Sequence, residues 1–174
     1  MKFEPTTVEG AFVVERALIE DERGHFATIF GADEFRAHGL VTDFAQCNTS
    51  FNTLKGTLRG MHYADPPEVK LVRCTAGRVF DVALDLRPES PSYRQWAAAE
   101  LSPGNGRAMY VPVGVAHGFY TLEDASEVLY HISLLYDPAA GRGVRWDDPA
   151  FGIGWPGPPS VISDRDRSYP DVDA

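Results

Sequence analysis

Apolar residues along this chain recur mostly with a period of two, in short runs. Ala11–Ile19 (AFVVERALI) is rich in apolar and β-branched residues. Lys70–Cys74 sets Leu71 and Arg73 against Val72 and Cys74. Gly77–Arg87 is the clearest case, with Val79, Asp81, Ala83 and Asp85 on one face and Phe80, Val82, Leu84 and Leu86 on the other. Ala108–Val113 and Glu127–Leu135 are further runs, and Gly, Pro, Asn or Asp clusters bound each one. Successive side chains of a strand point to opposite faces, so this pattern predicts strands. Many short strands separated by turn residues predict an all-β sandwich or barrel. Ala32–Leu40 is the best helical stretch, with Phe35 and Leu40 on one side and Gly39 near its end.

Asp81 and Asp85 have two placements open to them: a polar barrel interior or a solvated outer face. The opposite face is wholly apolar and suited to packing between sheets, which favours the interior. GNGR at 104–107 reads as a turn, and the Pro-, Gly-, Ser- and Asp-rich tail from Ile153 to Ala174 as a loop, a lid or a segment folded over the barrel end. No internal repeat is visible.

A chain of 174 residues fits one domain, 1–174, large enough to fold without disulfides or a structural metal. The net charge of −9, with no basic run against it, disfavours nucleic acid as a partner. It still permits a small anionic ligand where arginines and lysines converge. No segment approaches the ~18 consecutive apolar residues of a membrane span. The opening MKFEPTTVEG has no secretion-signal pattern, so a cytoplasmic setting is expected. Cys47 and Cys74 stand apart and read as free thiols in or near the core.

Among five histidines, His62 in LRGMHY and His117 in VPVGVAHGFY have suggestive settings. Either one is open to a structural or a catalytic role. No HxH occurs, and neither histidine has the spacing of a metal-ligand set, so no metal is expected. GxSxG, GxGxxG and P-loop motifs are absent, which argues against serine hydrolases and against NAD or ATP enzymes. Arg23 and Arg59 are each followed by glycine. A guanidinium fork beside a close-approaching backbone suits a diphosphate, although either arginine alone also fits an exposed turn.

Taken together, several segments resemble the dTDP-4-dehydrorhamnose 3,5-epimerase family: ERGHF (22–26), QCNTS (46–50), LRGMHY (58–63), KLVRC (70–74), GRVFDVALDLRPESPSY (77–93), VPVGVAHGF (111–119), LYHI (129–132), RWDDP (145–149), WP (155–156) and SDRD (163–166). The resemblance implies a double-stranded β-helix, or cupin jelly roll, with short helices and a C-terminal tail packed on the barrel. It also implies a homodimer with swapped N-terminal strands, a nucleotide-diphosphate sugar as substrate, and no metal or other cofactor. By the same resemblance His62 is the general base, Asp166 its carboxylate partner and Tyr130 the acid on the opposite face of the sugar. Lys70 lies near the keto oxygen and His117 is a further polar group of the pocket. Arg23 and Arg59 bind the diphosphate, Gln46 and Asn48 contact nucleotide and substrate, and Phe26 comes from the neighbouring chain. The implied reaction inverts carbon 3, carbon 5 or both of a (d)TDP-linked 4-keto-6-deoxy sugar.

The chemistry fits these residue types. A hydrogen beside a ketone is acidic because the resulting anion spreads onto oxygen. A histidine is suited to remove it, and a lysine to stabilise the enolate oxygen. The chain departs from the family pattern in four places. The loop between His62 and Lys70 is two residues short, Ala64 replaces a common glutamine, Thr28 replaces a glutamate and Asn52 a serine. Alternative readings are a mono-epimerase or keto-isomerase acting on another nucleotide-linked ketosugar, a sugar-binding cupin without turnover, and a metal-dependent cupin oxygenase.

Overall fold

The computed structural model describes residues 1–172. The N-terminal part contributes β1 (Lys2–Pro5), β2 (Phe12–Glu15), β3 (Ile19–Asp21), β4 (Gly24–Phe26) and the short helix α1 (Ala32–Ala37). The body follows as β5 (Gln46–Asn52), β6 (Thr57–Ala64), β7 (Lys70–Ala76), β8 (Val79–Asp85), β9 (Trp96–Leu101), β10 (Arg107–Val111), β11 (Val115–Thr121) and β12 (Ser126–Ile132). The C-terminal part adds β13 (Gly141–Gly143), β14 (Val161–Ile162) and helix α2 (Asp164–Arg167). One sheet runs β1–β2–β10–β7–β12–β5; the other runs β13–β6–β11–β8–β9, with β14 added in parallel to β6. Two mainly antiparallel sheets face to face are the all-β sandwich that the alternation predicts, and the jelly roll that the family resemblance implies.

Alternation decides what each sheet turns inward. Val72, Cys74, Met109, Val111 and Val128 of the first sheet meet Val79, Ala83, Ala97, Leu101, Val115 and Phe119 of the second in the central core. The outer face of the first sheet is closed by α1, whose Phe35 is fully buried with Leu71, Tyr110 and Val14. Burying a phenylalanine of this kind stabilises by roughly 1.5–3 kcal/mol. The outer face of the second sheet, with Val82 and Leu84, is covered by Phe151, Ile153 and Trp155 of the C-terminal part. Asp81 and Asp85 therefore face inward and are fully buried.

Ala11–Ile19 forms one strand in the sequence pattern but two in the structure. β2 ends at Glu15 because its partners end there: Lys2 of β1 and Arg107 of β10 both pair with Glu15. With no neighbour to pair, the chain leaves the sheet, and Ile19 opens a separate hairpin with β4. That hairpin is exposed throughout, Ile19 and Phe26 included. Cys47 departs from the expected core position, since it lies on the outer face of β5 and is exposed; Cys74 is buried. No helix among the described residues is long and apolar enough to cross a membrane.

Candidate active site

A cavity of about 530 Å³ opens between the two sheets beside the central core, with Phe119 belonging to both. Volumes of this order suit small ligands and cofactors. Inward positions of β5 supply Gln46, Asn48 and Ser50, while β7 supplies Lys70, β12 supplies Tyr130 and Ile132, and β11 supplies His117 and Phe119. β6 supplies both Arg59 and His62. Residues three apart on a regular strand face opposite ways, so this pair needs an irregularity. His62 pairs with His117 and Arg59 with Phe119, so two residues of β6, Gly60 and Met61, lie opposite Gly118 alone. This bulge turns both polar side chains into the cavity and sends Met61 into the outer core. Glycine is required at its centre: Gly60 has φ of 147°, and a Cβ there would stand 2.7 Å from Gly118 Cα.

The bulge also aims a backbone donor. Gly60 N–H donates to Asp166 Oδ2 at 3.2 Å, and His62 Nε2 lies 2.7 Å from Asp166 Oδ1. An ionised carboxylate can only accept, so His62 donates from Nε2, and Nδ1 is the ring nitrogen left for a ligand. Asp166 arrives on α2, whose N-cap Ser163 accepts from the Asp166 N–H at 3.1 Å. Burial opposes the charged form of Asp166, but the His62 bond and charge, the Gly60 N–H and Ser163 outweigh it and hold the carboxyl below its ordinary range.

Across the cavity, the Tyr130 hydroxyl lies 3.2 Å from Ser50 Oγ, and burial pushes its pKa up. Tyr130 is thereby kept protonated. His117 is buried on the cavity floor, its Nε2 2.8 Å from Asp81 Oδ2. Burial pushes the Asp81 carboxyl up, opposed by His117 and Lys70, and its Oδ1 is buried without a hydrogen-bond partner. Lys70 Nζ stands 3.2 Å from Glu68 and donates to the His62 carbonyl at 3.4 Å. Arg59 donates from Nε to Asn52 Oδ1 at 2.8 Å, and Asn52 is itself held by the Ser50 and Ser126 carbonyls. Among the described residues no three His, Cys, Asp or Glu side chains converge as a metal-binding group.

A histidine backed by a carboxylate, with a tyrosine hydroxyl, an ammonium and a guanidinium lining the same cavity, is a set of groups suited to moving protons on an anionic ligand. Comparison with known proteins agrees with that chemistry. The family model of dTDP-4-dehydrorhamnose 3,5-epimerase matches residues 5–174. The chain belongs to the dTDP-4-dehydrorhamnose 3,5-epimerase family. It is an isomerase of the deoxysugar epimerase class. The dTDP-4-dehydrorhamnose 3,5-epimerase of Methanothermobacter thermautotrophicus is 40% identical over 172 residues, covering 97% of this chain and 92% of that one. An epimerase structure from Mycobacterium tuberculosis superposes with a TM-score of 0.94 at 36% identity, covering 99% of this chain and 89% of the other. A Legionella pneumophila dTDP-6-deoxy-D-glucose-3,5-epimerase, solved in complex with dTDP-4-keto-L-rhamnose, gives a TM-score of 0.89 at 36% identity, covering 95% and 89%.

Within this family frame, the residues expected from sequence divide in two. Gln46, Asn48, Arg59, His62, Lys70, His117 and Tyr130 line the cavity, and Asp166 stands directly behind His62. Arg23 and Phe26 do not line it: both lie on the β3–β4 hairpin, where Arg23 is 83% exposed and ion-paired to Asp21 at 2.5 Å. His117 sits within β11. The shortened loop leaves Lys70 at the start of β7, pointing into the cavity. Glu68, Tyr136, Arg142 and Arg165 also line the cavity and were not expected. Arg165 had a signal, since it precedes Asp166 within SDRD. Arg142 had none, because GRG at 141–143 carries no strand pattern.

Proposed function

We propose that this chain inverts carbon 3, carbon 5 or both of a (d)TDP-linked 4-keto-6-deoxy sugar, acting as one domain over 1–174 without a cofactor. His62 Nδ1 takes the proton beside the ketone, and the Asp166 carboxylate stabilises the imidazolium that forms. Lys70 supports the enolate oxygen as negative charge develops there. Tyr130, projecting from the opposite sheet, returns a proton to the other face of the carbon. Arg59 and the Arg142–Arg165 side carry the diphosphate, and Gln46 and Asn48 contact nucleotide and sugar. One proton leaves and one returns, so the reaction is redox-neutral.

The observation that carries this reading is the placement of the His62–Asp166 pair and Tyr130 on facing sheets across one cavity. An inversion needs a base and an acid on opposite sides of the reacting carbon. The proposal includes a homodimer in which the β3–β4 hairpin reaches the neighbouring cavity, bringing Arg23 to the diphosphate and Phe26 beside the base. The exposed Phe26 and Ile19, 69% and 68% accessible, support it, since large apolar side chains paired across an exposed hairpin are suited to burial against a second copy. A cytoplasmic setting, where activated sugars are built, belongs to the same proposal.

Incubation with dTDP-4-keto-6-deoxyglucose followed by proton NMR of the sugar tests the reaction. A changed H2–H3 coupling on inversion at carbon 3, or new H5 and methyl resonances on inversion at carbon 5, is expected. A sugar with its configuration unchanged overturns the substrate assignment.

A further inference from the structure

Among the described residues His62 has one hydrogen-bond partner for its ring, and its side chain remains 39% exposed. An imidazole held at one nitrogen is free to pivot about that bond. The structure supplies a second restraint from the same turn that brings Asp166. Tyr169 follows Asp166 by three residues, just beyond the C-cap Ser168, and its ring meets the His62 ring edge-to-face, with centroids 6.2 Å apart and planes at 70°. Edge-to-face contact is a favoured geometry for aromatic rings because the positive edge of one meets the negative face of the other.

Two neighbours keep Tyr169 in place. Gly143 of β13 pairs in register with His62, and any Cβ at Gly143 would run into the Tyr169 ring, so the ring fills the space that glycine leaves. The Arg165 guanidinium lies 5.8 Å from the ring centroid and is itself tied to the Gly141 carbonyl at 3.1 Å. The Tyr169 hydroxyl is buried and has no hydrogen-bond partner among the described residues. The contribution of this residue is therefore its ring and not its oxygen.

We propose that Tyr169 is a positioning residue for His62: its ring, seated on Gly143, blocks the pivot of the imidazole about the Asp166 bond and keeps Nδ1 aimed into the cavity. This rests on the reading of His62 as the base. Misplacement of a reacting group by about 1 Å can cost on the order of 10²-fold in rate, and the cost falls on the chemical step rather than on binding.

The test is deuterium wash-in to dTDP-4-keto-6-deoxyglucose at saturating and limiting substrate, for Tyr169→Ala, Tyr169→Leu, Tyr169→Phe and His62→Ala, with a thermal melt of each. Tyr169→Ala is expected to lose roughly ten- to a hundredfold in the saturated rate with KM little changed. Tyr169→Leu, which keeps apolar bulk and guards against an alanine variant that fails to fold, is expected to show the same direction of loss. Tyr169→Phe is expected to keep the wild-type rate and to melt no lower. A wild-type saturated rate in folded Tyr169→Leu, a loss confined to KM, or a Tyr169→Phe protein as slow as Tyr169→Leu would each overturn the positioning role. A His62→Ala protein that still exchanges overturns the assignment of the base, and this proposal with it. An inactive His62→Ala alongside an unaltered Tyr169→Leu overturns the positioning role alone.

Discussion

Asp166 and His62 lie 104 residues apart in sequence and 2.7 Å apart in space. The contact is built by two local devices: the β6 bulge, which offers the Gly60 N–H to the same carboxylate, and the Ser163 cap, which fixes the turn that carries it. Asp166→Asn keeps the shape and removes the charge that, in the proposed reaction, stabilises the imidazolium. The exchange rate is expected to fall by roughly 10²-fold or more, with an unchanged circular dichroism spectrum. An asparagine variant at full rate would mean the pair is structural.

Tyr130 is kept in its protonated form by burial, as a proton donor must be. Tyr130→Phe removes the proposed donor and leaves the proposed base. Wash-in of deuterium by NMR is expected to continue while formation of the inverted product slows. Equal loss of both would place Tyr130 in binding or folding instead of proton return.

If the hairpin of one chain completes the cavity of another, the two defects can be separated between chains. Arg23→Ala and His62→Ala homodimers are each expected to be impaired. Mixed dimers, formed after unfolding and refolding the two together, are expected to regain activity, because one of their two cavities has both residues intact. No recovery on mixing would place Arg23 and His62 in the same chain's site, or Arg23 in none.

Asp85 anchors a different part of the molecule. Fully buried, it accepts from Arg87 at 2.8 Å, from Ser90 at 2.5 Å and from Ser92 at 2.6 Å. Arg87 and Ser92 in turn hold the Glu9 backbone of the N-terminal segment. Burial opposes the charge of Asp85, but these donors overcome it and depress the carboxyl well below the ordinary range. A depressed carboxyl contributes stability that is fully present above its unfolded pKa of about 3.9 and is lost as pH falls through the folded value. Asp85→Ala is expected to cost about 3 kcal/mol at neutral pH in urea melts, and less as the pH approaches about 2. A pH-independent difference would contradict this account.

The alternation over Val79–Leu86 placed Asp81 and Asp85 inside correctly because period two is a property of the strand itself. It did not tell them apart: Asp81 supports His117 beneath the cavity, whereas Asp85 knots the β8–β9 corner. The longest matching segment, GRVFDVALDLRPESPSY, thus contributes mainly architecture. The break after Glu15 was not legible, because it depends on where two neighbouring strands stop. The joint inward facing of Arg59 and His62 was not legible either, since it requires a bulge against Gly118 that no local periodicity encodes. Cys47 was misjudged because both faces of an edge strand carry similar residues, and only the packing shows which face is open. Asp166 and Tyr130 enter the site only through motif resemblance, as nothing in their own sequence surroundings marks them out.

The most direct measurement is NMR of dTDP-4-keto-6-deoxyglucose in deuterium oxide with wild-type and His62→Ala protein. Deuterium appearing at carbon 3, carbon 5 or both with the wild type, and at neither with His62→Ala, is the predicted result. Undiminished exchange by the folded His62→Ala protein would contradict the account.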